Sequence, residues 1–340
     1  MNAGRKFTIR QVLFWTRREI LTFALIGTIP TVLYQVLGWH WIAIPWLPIA
    51  LVGTAVAFLV GFKNNASYGR MWEARMAWGS IVNSSRTWGI MAKDYVCNLT
   101  AHEPVQAMEL HAIHQRLMYR QVAWLTALRY QLRVPKAWES LEQPHAKEYR
   151  KLYSVPEWEV DMSEVITPFL SEADMAFVAA KKNRATQLLS LQSEDLRELR
   201  KRGLLDAYPY VEMMGLVQNL YDQQGKCERI KNFPYPRQFA TFNVYFIWLF
   251  IVLVPLGMLQ EVDSKLGEPF VWMTIPFTMI VAWVFHTMEK IGVATENPFE
   301  GGANDIPMAN LSRTIEIDLR EMLGETELPS PVVAVNDILM

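Results

Sequence analysis

Three stretches of the chain carry no Asp, Glu, Lys or Arg: 43 residues between Glu19 and Lys63, 23 between Arg237 and Glu261, and 20 between Glu268 and Glu289. A hydrocarbon core about 30 Å thick is crossed by about 20 mostly apolar residues in a helix. The second and third stretches therefore hold one span each, at about 238–260 and 269–288. The first is long enough for two, at about 20–39 and 42–62, folded back near Gly38-Trp39-His40-Trp41. Helices are the expected form, because backbone inside lipid must satisfy its own hydrogen bonds. A soluble core is the alternative, but soluble helices seldom supply three separate uncharged stretches of this length.

The rest reads as helix of soluble character. Residues 1–19 form a basic amphipathic segment, with Leu13, Phe14 and Trp15 beside Arg17 and Arg18, expected to lie at the membrane surface. Pro30 is expected to kink the first span. From Arg70 to Cys97, apolar residues recur at helical spacing: Trp72, Met76, Ile81, Trp88 and Met91. Ala107 to Leu132 continues the pattern until Val134-Pro135, and 135–165 is the least regular part. Helical signals return over 171–201, 207–232 and 307–323, and 325–340 reads as a loose tail. The expected organisation is one unit over 1–324, with cytosolic helices in 64–237 and 290–324 running on from the spans. The fold class is an all-α integral membrane protein with four spans continuous with a cytosolic helical bundle.

Charge changes the picture by orienting it. Arg5, Lys6, Arg10, Arg17 and Arg18 precede the first span, and Lys63, Arg70 and Arg75 follow the second. Between spans three and four, three acids stand against Lys265. Lys and Arg flank spans on the cytoplasmic side, so both termini and the middle segment are expected there, in a multi-pass protein of the plasma (inner) membrane. The N-terminus does not read as a cleavable signal, since no small-residue cleavage site follows the apolar run. Cys97 and Cys227 fall on the cytoplasmic side, where no disulfide is expected.

Little in the chain carries reaction chemistry. None of the uncharged stretches contains a carboxylate or amine; His40 and His286 are their only groups that ordinarily titrate near neutral pH. There is no phosphate-binding glycine loop and no nucleophile elbow, so an enzyme is not expected. His111 and His114 share a helical face, but two ligands without a third are more simply packed or solvated, and no metal or cofactor is expected. Glu316, Asp318 and Glu321 alternate with Ile315, Ile317 and Leu319 near Arg313 and Arg320, as on a salt-bridged helix surface. In the second span, Thr54, Phe58 and Phe62 stand at i, i+4 and i+8, with Gly53 and Gly61 at the ends of the stripe. Spacing alone reads that stripe as packing or lipid contact, and the glycines as points of close helix approach.

Gly61-Phe62-Lys63-Asn64-Asn65-Ala66-Ser67-Tyr68-Gly69-Arg70-Met71-Trp72-Glu73-Ala74-Arg75, continued by Trp78 to Arg86, resembles the segment after the second span in the bacterial and plant branch of the bestrophin family. Three further motifs agree in order: Ala127 to Arg133; Gly225 to Ile230 with Pro234 and Pro236; and Glu296-Asn297-Pro298-Phe299 with Asn304 to Pro307 and Arg313 to Asp318. The resemblance covers about 5–323.

What it implies is a homopentameric channel with one central pore for monovalent ions. The family's pore neck falls on Thr54, Phe58 and Phe62, and a second constriction at the cytosolic mouth falls near Tyr208. Animal members have apolar or aromatic residues at all three neck positions, so Thr54 is a departure that leaves the outer end more polar. Rings of apolar side chains gate by dewetting, and the positive edge of a phenyl ring favours an anion; chloride-like selectivity is the expectation. The alternatives are a monovalent cation channel of the same fold, or a non-conducting sensor or scaffold. Partners are membrane lipid, permeant ions and copies of the chain, with no nucleic acid. In animal members calcium sits in an acidic run after the Asn-Pro-Phe motif. Here only Glu300 and Asp305 remain of it, too few for a calcium clasp, so calcium is expected neither to open nor to stabilise the protein.

Overall fold

A computed structural model describes residues 1–340, apart from the side chain of His145. Twelve α-helices follow in chain order: α1 (Ile9–Gln35), α2 (Trp46–Tyr95), α3 (Ala107–Arg133), α4 (Pro144–Tyr149), α5 (Pro156–Glu159), α6 (Met162–Ile166), α7 (Glu172–Ala179), α8 (Arg184–Lys201), α9 (Ala207–Asn232), α10 (Arg237–Leu266), α11 (Thr274–Thr295) and α12 (Met308–Met322). Among the described residues, β pairing is confined to isolated bridges. The helices fall into two compact units, and the 50-residue α2, about 75 Å long at 1.5 Å per residue, contributes to both.

The apolar unit comprises Gly4–Arg70 and Pro234–Asn297. Here α1, α10 and α11 pack on one another, and Phe23, Ile49, Val56, Val60, Ile247, Phe250 and Val254 form the interior. Close approach of α2 to α10 depends on Gly53: a Cβ there would lie 2.6 Å from the Phe250 ring. Gly61, by contrast, faces open space, so it brings no helix closer within the subunit. Three helical stretches are long and apolar enough to cross a membrane: His40–Tyr95, Arg237–Leu266 and Glu268–Thr295. The surface helix expected over 1–19 is not separate. Thr8 caps α1 through a reciprocal pair with Gln11, and the helix then runs unbroken through Arg17 and Arg18 to Gln35.

The polar unit comprises Met1–Ala3, Met71–Phe233 and Pro298–Met340. α3 is its axis, with α8, α9 and α12 packed around it. Trp78, Trp88 and Trp124 are fully buried; Trp88 donates to the Leu117 carbonyl at 3.1 Å and Trp124 to Gln224 at 3.0 Å. Buried indoles usually find such partners, although the Trp78 N–H has none among the described residues. The irregular 135–165 stretch resolves into single helical turns begun by Pro144 and Pro156. The 171–201 helix is two, broken at Lys181 to Asn183, where Asn183 caps α8.

The end of the chain is not a loose tail. Ile338 and Met340 are buried beside Val155, and the backbone of 337–339 bonds to residues 1–3. That pairing joins opposite ends of the sequence, so no local pattern foretells it.

Candidate functional site

Along α2, Ile49, Gly53, Val56, Val60, Lys63 and Ser67 are buried, a repeat of alternating three and four residues that draws one seam down the helix. At 100° per residue, Thr54, Phe58 and Phe62 fall on the opposite side. They are exposed, Phe58 by 67% and Phe62 by 59%. The two rings meet edge to face with centroids 4.8 Å apart, so the aromatic pair forms within one subunit. The Thr54 hydroxyl donates to the Ala50 carbonyl at 2.9 Å, which leaves its lone pairs outward. Asn65, almost one turn beyond Phe62, is exposed on the same side and adds an amide to the stripe. Sequence spacing missed it because the stripe was read only through the uncharged stretch.

Behind Phe62 lies a group that hydropathy also missed. Lys63 is 2% exposed and Glu289 of α11 4% exposed. The Lys63 ammonium binds one Glu289 oxygen, and the Asn243 amide of α10 binds the other. Each charge borders a different uncharged stretch, so each reads alone as a span flank. Together they make a buried ion pair, which low-dielectric surroundings tolerate only when paired. Two turns further on, Arg70 donates to the Glu296 carbonyl at 2.9 Å, and Arg237 pairs with the Glu296 carboxylate. The Arg70 and Glu296 motifs, far apart in sequence, thereby close on each other.

In the polar unit, Tyr208 is the second residue of α9, after the Asp206 cap, and is 84% exposed. His114 gives its ring nitrogen to the Val96 carbonyl at 2.8 Å. Among the described residues no group of three or more His, Cys, Asp or Glu could hold a metal. Glu316 pairs with Arg313 at 3.1 Å, as the local spacing predicts, whereas Asp318 pairs with the distant Arg86 at 2.7 Å.

The turn after Asn297-Pro298-Phe299 does not suit calcium. Both Glu300 oxygens are taken by Ser140, from its backbone N–H at 2.9 Å and its hydroxyl at 2.6 Å. Asp305 accepts from the Gly301 N–H at 2.7 Å and from Arg133 at 3.3 Å. Arg133, itself 1% exposed, also bonds Glu157 and the Ile306 carbonyl, so a guanidinium already supplies the positive charge. Burial, and then the neighbouring Asp305, push the Glu300 carboxyl up to about 8; burial pushes Asp305 up as well.

Long uncharged helices, with apolar side chains outward and an ion pair inward, define a multi-span helical membrane protein. The chain belongs to the bacterial/fungal bestrophin family, whose model matches residues 7–321. Its relatives include the voltage-dependent anion channel-forming protein YneE of Escherichia coli, 26% identical over 286 residues, spanning 84% of this chain and 79% of that one. The voltage-dependent anion channel-forming protein of Ralstonia nicotianae is 27% identical over 300 residues, spanning 87% and 84%. A crystal structure of a bacterial bestrophin homolog from Klebsiella pneumoniae is similar with a TM-score of 0.71 and 25% identity, over 93% of this chain and 100% of that one.

Proposed function

We propose that the protein is an anion channel, a pentamer whose second helices face a common axis and place Thr54, Phe58 and Phe62 around the neck. The observation that carries this reading is the two-sidedness of α2. One side is sealed into the subunit by the seam from Ile49 to Ser67, while the other presents a threonine and two phenyl rings to no partner within it. Five such faces make a narrow tube that is apolar where the rings stand and polar at its Thr54 and Asn65 ends. Ring edges turned inward favour an anion, and the names of the relatives point the same way. Tyr208 is assigned to the cytosolic constriction from the family resemblance, supported by its exposure at the start of α9. The apolar half of α1 is the fourth span, and both termini face the cytoplasm of the plasma membrane. Calcium has no part in opening, because Arg133 occupies the turn where it would bind.

The test is current from purified protein in planar bilayers under asymmetric chloride, with calcium chelated and then restored. The reversal potential is expected near the chloride equilibrium potential in both conditions, from a particle with five times the subunit mass. A reversal near the cation potential would make this a cation channel of the same fold. A folded monomer, or a pentamer without current, would overturn the channel reading.

A further inference from the structure

Asn64 and Asn65 stand side by side in α2 and are used in opposite ways. The Asn64 amide donates to the Met288 carbonyl of α11 at 3.1 Å, inside the subunit. Asn65 is exposed, and its amide has no hydrogen-bond partner among the described residues. At 3.6 residues per turn Asn65 lies about 20° from Phe58 around the helix, and Asn64 about 120° from it. One turn to either side of Asn65 come Gly61 and Gly69, where an added Cβ would meet nothing within 4 Å. The i−4 and i+4 neighbours that would crowd the amide therefore carry no side chain. Side chains in a helix lean toward its N-terminus, which carries the amide toward the level of Phe62.

The polar groups on this face are not equivalent. Among the described residues exposed on α2 from Leu51 to Asn65, Thr54 and Asn65 alone carry a polar side chain. The Thr54 hydroxyl commits its one proton to the Ala50 carbonyl at 2.9 Å, so it presents acceptor lone pairs only. Asn65 keeps two N–H donors and a carbonyl oxygen. Eleven residues, about 16 Å of helix, separate the two levels. The face thus runs from acceptors at one end, past two phenyl rings, to free donors at the other.

We infer that Asn65 forms an anion-binding ring at one end of the neck, an inference that rests on the channel reading above. An anion entering the apolar Phe62 level gives up water, and hydrogen bonds from amide N–H groups replace those it loses. Side-chain amide dipoles orient in the local field, so the anion itself turns the N–H groups toward the axis. Thr54 has no proton to offer for the same task, which leaves the anion site at the Asn65 end alone. The ligand is a small monovalent anion. Chloride fits, and a weakly hydrated anion such as thiocyanate fits better, because less hydration is lost on leaving water.

The experiment uses full-length protein in planar bilayers with sodium chloride or sodium thiocyanate, each variant first checked for assembly and melting midpoint. In Asn65→Leu the concentration that half-saturates the current is expected to rise by about tenfold or more for both anions, from lost hydrogen bonds to a charged ligand. Asn65→Gln keeps the amide and restores most of the affinity. Asn65→Asp replaces the donors with carboxylates and moves the reversal potential in asymmetric sodium chloride toward that of sodium. Thr54→Val removes acceptors but no free donor, and moves it the other way, toward chloride. A parent that passes chloride, with Asn65→Leu saturating at the same concentration, would keep the channel reading and overturn the Asn65 site. An Asn65→Asp channel as anion-preferring as the parent would do the same. A folded parent without anion current would overturn both. Loss of assembly in Asn65→Gln would place the amide in packing and overturn the site as well.

Discussion

The two units of this chain solve opposite packing problems. In the polar unit, Trp78, Trp88, Trp124, Leu117 and Met118 are inside, and exposed charges such as Arg197 and Lys201 pair along the surface. In the apolar unit Leu21, Leu47, Leu51, Phe58 and Ile280 point outward, while Lys63, Glu289, Asn243, Thr31 and Thr278 are inside. The difference follows from the solvent. Removing apolar surface from water stabilises the first unit. Hydrocarbon offers no such gain, so helices there are held by close contact, as at Gly53 against Phe250, and by polar pairs. A charge inside the apolar unit is thus a fastener, and an aromatic ring outside it is unremarkable until several subunits share it.

The contrast breaks most visibly at the fastener. Glu289→Leu leaves the Lys63 ammonium buried without its carboxylate and is expected to cost about 3–5 kcal/mol, read as a lower melting midpoint and a reduced yield of folded protein. Lys63→Met/Glu289→Leu should recover most of that loss. Equal loss in the single and double variants would mean that the pair is not what joins α2 to α11.

The polar unit has its own buried charges, and pH separates them from the others. Glu300 is raised from its ordinary value near 4.5 to about 8, first by burial and then by Asp305. A carboxyl whose folded value is raised stabilises the fold fully below the unfolded value and loses that contribution as pH climbs through the folded one. Thermal stability should therefore fall between about pH 5 and pH 8, and Glu300→Gln should flatten that fall. A parent and variant with parallel pH profiles would remove Glu300 from the account.

The smallest effect on stability, and the most direct reading of function, is expected at Phe58. Its ring is largely exposed in the subunit, so Phe58→Ala should leave the melting midpoint nearly unchanged. If five rings form the neck, the same change widens and wets it, raising liposome flux while weakening anion preference. Unchanged flux from a well-folded oligomer would return Phe58 to a lipid-facing role.

Much of this was legible along the chain. Uncharged stretches marked the apolar helices, because a missing charge over 20 residues or more is a local property. Thr54, Phe58 and Phe62 shared a face because helical period is local as well. The Glu316 pairs followed from its spacing to Arg313 and Arg320, whereas Asp318 pairs with the distant Arg86. The N-terminal helix was misjudged because Arg17 and Arg18 look like an end, although Thr8 and Gln11 had already started a helix that passes through them.

The sequence by itself determined the membrane class, the helical content and the side of α2 on which the candidate neck lies, all consequences of periodicity and charge exclusion. Only the tertiary structure decided that Lys63 and Asn243 both meet Glu289, that Arg133 fills the turn at Asp305, and that Ile338 and Met340 dock beside Val155. Each of those is a contact between residues more than 40 positions apart. A charge beside an apolar stretch reads the same whether it faces water or a partner, and only the packing of another helix against it settles which.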